Sequence, residues 1–223
     1  MNIDIGKHNE EVKRVWDAYR AGKPIRVPML LSMNPRMILL DPKLNRKNIT
    51  FKEYTEDPEI MLNVEIEFFK WVRFTVHQDS EMGLPKEGWD VSVDFQNFSE
   101  AAWFGCPIFY REGQVPDTEP ILAGDKKNLL FDKGIPDPFS GIMKRNWDYV
   151  DYFMEKQKNG DKYEGLPIKS VDPSAMGSDG ILTIALNLRG VEILTDFYED
   201  PDYVRKLFDF ICEADIKRIK AFR

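Results

Sequence analysis

The chain has 223 residues, 43% of them hydrophobic and 13% aromatic, which is enough apolar side chain to bury one large core. Its formal charge of −7 excludes a protein built to neutralise nucleic-acid phosphates, and no basic patch stands out along the sequence. The two cysteines, Cys106 and Cys212, lie far apart without metal-type spacing, which argues against a disulfide framework and for two core thiols in a reducing cytoplasm.

The first residues, "MNIDIGKHNEE", lack the apolar run of a signal peptide, and no later stretch approaches the roughly 18 apolar residues of a membrane span. Asn9 with Glu10 and Glu11 reads as a helix start, an amide cap followed by acids at the positive end of the dipole. Val12, Val15, Trp16 and Tyr19 then form one apolar face, closed by Gly22 and Pro24. "IRVPMLLSM" is a short, nearly continuous apolar run that suits a buried first strand, with Met29 and Met33 as core gap-fillers. Thr55, Asp57 and Pro58 open a helix whose residues Ile60, Met61, Val64, Phe68, Trp71 and Val72 recur at helical spacing, and "EMGLPKEGW" breaks it. "VSVDF" and "CPIFY" are strand candidates, with "REGQVPDTEP" and "KGIPDPFSG" as long loops of the functional or lid type. A helix from about Met143 to Lys158 ends in "KNGDKYEG", and "LPIKSV" reads as a strand.

"SDGILTIALNLRG" reads as another buried strand, since Ile181, Leu182, Ile184, Ala185 and Leu186 are apolar. Thr183, Asn187 and Arg189 interrupt it, and two explanations are open. The carboxyl ends of parallel strands are where chemistry is placed, or Asn187 merely turns the chain into the next helix. That last helix starts at Asp200 and Pro201 and carries Val204, Leu207, Phe208, Ile211, Ile219 and Phe222 along one side. Strands and helices alternate, without an internal repeat or linker, which predicts an α/β fold with parallel strands.

The order of these segments resembles the uroporphyrinogen decarboxylase family, a superfamily of TIM barrels that includes methyltransferases serving corrinoid proteins and thiols. Three stretches carry the resemblance: "GKPIRVPMLLSM", similar to the family's first strand; "VDFQNFSEAAWFGCPIFY", similar to the segment with an Ala-x-x-Gly turn; and "GILTIALNLRGVEILTDFYEDPDYVRKLFDFICEADIKRI", similar to the Gly-Pro-x-Thr strand and the Asp-Pro helix after it. The resemblance implies a (β/α)8 barrel of which only about the first half is present. It implies one domain over 1–223, with an N-terminal helix and lead-in over 1–24 and barrel strands, helices and long loops over 25–223.

The resemblance also implies site residues. The decarboxylases carry an Arg-Gln-Ala-Gly-Arg motif after the first strand; here the matching "SMNPRM" has Met33 near the first arginine and Arg36 as the second. Their essential aspartate falls eight residues before the glycine of the Ala-x-x-Gly turn, which from Gly105 gives Asn97, with Asp94 nearby. Their substrate tyrosine corresponds to Asn187. These three departures favour a corrinoid- or thiol-linked methyltransferase over a porphyrinogen decarboxylase. A non-catalytic half barrel that binds a partner chain is the third reading, because parallel edges left unpaired invite association.

The substrate-binding set is therefore Asn97, Asp94, Asn187, Arg36 and Glu100, the last either facing the same pocket mouth or acting as a solvated or capping acid. Asp179, beside Gly180, either orients a ligand or marks a turn. Phe95, Trp103 and Phe104 either line an apolar cavity for a flat ring or belong to the core. His8 and His77, the only histidines, sit at helix ends and make no metal cluster. In the methyltransferase branch zinc is held by a His-x-Cys pair and a later Cys, which the resemblance puts in the part of the barrel beyond this stretch. Zinc, and a corrinoid borne on a partner protein, are thus expected only with that remainder. The partners expected are a small-molecule substrate and either a homodimer mate or a chain completing the barrel, with neither nucleic acid nor membrane.

Overall fold

Two parallel strands, β1 (Trp89–Ser92) and β5 (Leu166–Asp172), form the centre of the fold in a computed structural model that describes residues 3–174 and 177–223, apart from the Gln96 side chain. Trp89 pairs with Ile168 and Val91 with Val171, so the inward side chains of β1 pack into the core while Asp90 stays exposed. β4 (Lys162–Tyr163) joins the outer edge of β5 antiparallel, giving the order β1-β5-β4. A separate two-residue hairpin pairs β2 (Ile108–Phe109) with β3 (Asp117–Thr118), the latter inside the expected "REGQVPDTEP" loop.

Helices surround this sheet. In chain order they are α1 (Ile5–Arg20), α2 (Arg36–Leu40), α3 (Phe51–Glu56), α4 (Pro58–Thr75), α5 (Ser99–Trp103), α6 (Leu129–Lys133), α7 (Gly141–Asn159), α8 (Ile181–Arg189), α9 (Glu192–Glu199) and α10 (Pro201–Phe222). The described residues therefore form a mixed α/β, mostly helical domain with one small mixed sheet, and no barrel is closed. The start of α4 follows the sequence expectation: Asp57 accepts hydrogen bonds from the amides of Glu59 and Ile60, and Pro58 occupies the first turn. α10 begins likewise, with Asp200 accepting from the Tyr203 amide. Among the described residues no helix is long and apolar enough to cross a membrane.

Three segments differ from the expectation. α1 starts four residues earlier than Asn9, capped by Asp4; Asn9 instead binds the Met82 backbone through both its amide nitrogen and its oxygen, tying α1 to the loop after α4. "IRVPMLLSM" is extended but joins no sheet. Its amides at Met29 and Leu31 donate to the side chains of Asp79 and Gln78, while Val27, Met29, Leu30 and Leu31 stay exposed, so Met29 is not a core filler; Met33 does pack against the core. Pro28 cannot donate to a ladder, and the segment's amides at Met29 and Leu31 are already taken by the Asp79 and Gln78 side chains.

The third difference is α8, expected as a strand. Its buried residues are Ile184, Ala185, Leu188 and Arg189, a spacing of three to four that belongs to one helix face, and Leu182 points to solvent. Gly190 caps it at φ 74°, a conformation glycine adopts freely. Arg189 is therefore a helix-end cation. It pairs with Asp196 of α9 at 2.8 Å and donates to the carbonyls of Leu122 and Gly124, locking α8 against α9 and the loop before α6.

The entry to β1 depends on Gly88. It lies close against β5 at φ 139°, and a Cβ there would lie 2.5 Å from the Pro167 carbonyl oxygen. Gly88→Ala should therefore lower the unfolding free energy by about 1–3 kcal/mol, measured by urea denaturation, because both the backbone angle and the contact are strained. An unchanged midpoint would show that β1 and β5 are not this closely set.

Candidate functional site

The carboxyl ends of β1 and β5 converge on a small cavity of mixed lining, in which Val93 and Ile142 also take part. After β1 the amide of Val93 continues the ladder to the Asp172 carbonyl at 3.0 Å, and the chain then turns through Asp94, Phe95 and a 3₁₀ turn over Gln96–Phe98 into α5. The cavity encloses about 50 Å³ and is lined by Asp94, Phe95, Ser99, Met143, Asn146 and Ser174. That is room for a water or a small cation. Asn146, carried inward on α7, donates through Nδ2 to the Pro173 carbonyl at 2.9 Å, while its Oδ1 is buried without a hydrogen-bond partner among the described residues. Such an acceptor costs stability unless a donor reaches it.

Beneath Asp94 lies a second carboxyl group, Glu65 of α4, only 1% exposed. Tyr54 donates its hydroxyl to Oε1 at 2.7 Å, and Ser92, the last residue of β1, donates to Oε2 at 3.3 Å. Burial, reinforced by the charge of Asp94, pushes Glu65 up to about 8. At neutral pH the pair thus consists of a protonated Glu65 behind Asp94 at the end of a parallel strand, where ligands of α/β sheets are bound.

The residues singled out in the sequence fall in three places. Asp94 lines the cavity. Asn97 is exposed on the turn beside it and accepts a hydrogen bond from Arg36 Nη2 of α2 at 2.8 Å, so these two meet across a long sequence separation. Glu100 does not face the cavity: it is buried on α5 and holds Arg218 of α10 in an ion pair, with the Asp179 amide donating to it at 2.5 Å. Burial and the neighbouring Asp215 raise Glu100 to about 7, against the pull of that amide and of Arg218. It is a clamp between α5, the turn before α8 and α10. Asn187 sits on α8 and is half-buried; its carbonyl lies 3.8 Å from the buried Cys106 Sγ, so it is neither at a strand end nor a lining residue of this cavity.

Among the other candidates, Phe95 lines the cavity and stacks on Tyr149 with ring centroids 5.3 Å apart, whereas Trp103 and Phe104 are core residues. The rings of His8 and His77 come to 5.0 Å, and His8 Nε2 lies 3.0 Å from the Ser80 carbonyl oxygen. Among the described residues no three His, Cys, Asp or Glu side chains gather as a metal site, and burial pushes the Cys106 thiol up to about 11, far from a ready thiolate ligand. The residues present do not fit a zinc centre.

Sequence reasoning missed Glu65 and Asn146. The signal for Glu65 was available: a carboxylate between Val64 and Ile66, four residues after Met61, on the helix face that points inward. Asn146 gave none, because an amide among charged residues on an amphipathic helix is ordinarily solvated.

Comparisons with protein-family models, with curated proteins and with solved structures found no match to this chain.

The raised Glu65 has a signed consequence for stability. In the unfolded chain the group ionises near 4.5 and in the folded chain near 8, so between these values the folded state holds a proton that the unfolded state has released. Its contribution is full below about 4.5 and is lost as the pH rises towards 8. Glu65→Gln keeps the Tyr54 contact and cannot ionise; it should match the parent in urea denaturation at pH 5 and exceed it by a few kcal/mol at pH 8.5. Parallel pH profiles for the two proteins would contradict the assignment.

Proposed function

We propose that this chain supplies part of the active-site pocket of an enzyme of the uroporphyrinogen decarboxylase superfamily, of the corrinoid- or thiol-linked methyltransferase type. The reading is supported chiefly by one observation: the acidic and amide groups Asp94 and Asn146 gather at the carboxyl ends of two parallel strands, the position at which barrels carry their chemistry. In this reading β1 and β5 are neighbouring barrel strands, and further strands complete the ring. Asp94 and the unsatisfied Asn146 oxygen hold the polar part of the substrate, and Arg36 fixes Asn97 on the turn that follows Asp94. Asn187 drops out of the pocket with its strand. Zinc has no ligand set among the described residues, so no step is assigned to it here.

The decarboxylase alternative is disfavoured because Asn97, an amide, stands where the family's aspartate is expected, and its oxygen is engaged by Arg36. A specific observation favours the partner-binding reading: Val27 is 72% exposed and Leu30 56%, in an extended segment whose apolar side chains face solvent. Self-association would follow from it, and a monomer by light scattering across a wide concentration range would remove it.

The enzyme reading is tested with the protein supplied with zinc, methyl donors, thiols and methylcorrinoid. Methyl transfer is expected, and Asp94→Asn should lower kcat/KM by about tenfold or more with the circular dichroism unchanged. Coproporphyrinogen formed from uroporphyrinogen would establish the decarboxylase instead, and neither product would leave the partner-binding reading.

A further inference from the structure

A second concavity lies on a neighbouring face of α4, away from the strand ends. It encloses about 500 Å³ between the loop over 41–49 and the helix, within the size of small-molecule sites. Ile38 and Ile66, both buried, form its floor, and Trp71 with the 44%-exposed Phe74 forms one wall. The rim carries cations in a chain whose net charge is −7. Two of them are neutralised locally, Lys47 by Glu67 at 3.3 Å and Lys70 by Glu164 at 2.8 Å. Lys43 and Arg46 form no ion pair among the described residues, so the groove keeps an excess of positive charge over an apolar, aromatic surface.

The loop that bears these cations is held in place. Asn45 donates through Nδ2 to the carbonyls of Leu39 at 3.1 Å and Ile49 at 2.8 Å, and its Oδ1 accepts the Ile49 amide at 2.8 Å. Asp41 accepts the Lys43 amide at 2.8 Å, and Asn48 adopts a left-handed φ of 52°. Three hydrogen bonds from one side chain therefore set the backbone that carries Lys43 and Arg46, so little ordering is left to be done when an anion arrives.

We propose that this groove binds a flat aromatic anion, an aryl carboxylate or aryl phosphate, with its ring on Trp71 and Phe74 and its charged group between Lys43 and Arg46. Aromatic stacking supplies the apolar contact, and the guanidinium supplies the planar pair of donors that a carboxylate or phosphate accepts. The two fixed ion pairs at Lys47 and Lys70 border the site without consuming its charge. Neutral aryl compounds would gain the stacking and forgo the charge-assisted hydrogen bonds.

The test is calorimetric titration of the protein with 2-naphthoate, with naphthalene-2-methanol as the neutral counterpart. Saturable binding with Kd below about 1 mM is expected, accompanied by a change in tryptophan emission. The doubly substituted Lys43→Ala/Arg46→Ala chain alters only exposed side chains, and its fold is checked by circular dichroism. Binding of naphthoate to it should be tenfold or more weaker, and the alcohol should bind the parent at least tenfold more weakly than the acid. No saturable binding to the parent, a smaller loss in the double variant, or comparable binding of the alcohol would overturn the proposal.

Discussion

A carboxyl group placed beyond the reach of water must find hydrogen-bond donors and give up its charge, and Glu65 does both. Its two donors come from different parts of the fold, Tyr54 from α3 and Ser92 from the end of β1, while its backbone belongs to α4. One side chain thus ties two helices to the end of β1. Burial keeps the proton on Glu65, and the charge of Asp94 nearby adds to that effect. The geometry of the candidate site is therefore a consequence of how the core is closed.

Away from that point, two buried ion clusters secure the helical periphery. Arg218 joins Glu100, Asp215 and the Gly177 carbonyl, and Arg189 joins Asp196 and two loop carbonyls. Buried pairs of this kind contribute less to net stability than to uniqueness of position, since removing one partner leaves an uncompensated charge. The first ties α10 to α5 and the turn before α8, the second ties α8 to α9 and the loop before α6, and none of these residues lines the cavity at the strand ends. The sheet itself is small, and β1 presents one edge that no described strand covers. The exposed apolar run over 25–31 lies in the same chain with one side of its backbone bonded to Gln78 and Asp79.

Much of this was legible in the sequence where long periodic patterns or caps were present. α4, α7 and α10 followed from apolar spacing with Asp57 and Asp200 as caps; "LPIKSV" matches β5, and the alternating "VSVDF" overlaps the last two residues of β1. The failure over 181–189 has a physical reason: a nine-residue apolar segment has nearly the same composition as a buried strand or a buried helix, and only the position of Arg189 and Gly190 against neighbours decides between them. The run over 25–33 failed differently, since its strand character depends on a partner strand, and the local sequence cannot supply one. Of the residues singled out, Asp94 lines the cavity and Arg36 of α2 reaches Asn97 on the turn after it, whereas Glu100 and Asn187 are carried by helices to other faces. Glu65 stood in plain view as a charge on an apolar stripe.

The measurement that bears most directly on the site is the titration of the Glu65 side-chain carboxyl by carbon-detected NMR, assigned through Glu65→Gln. A midpoint near 8 is expected. A midpoint near the ordinary glutamate value of 4.5 would mean that the carboxyl is hydrated and that the strand end is open to water. In that case neither the closed core nor the acid pair described here would exist.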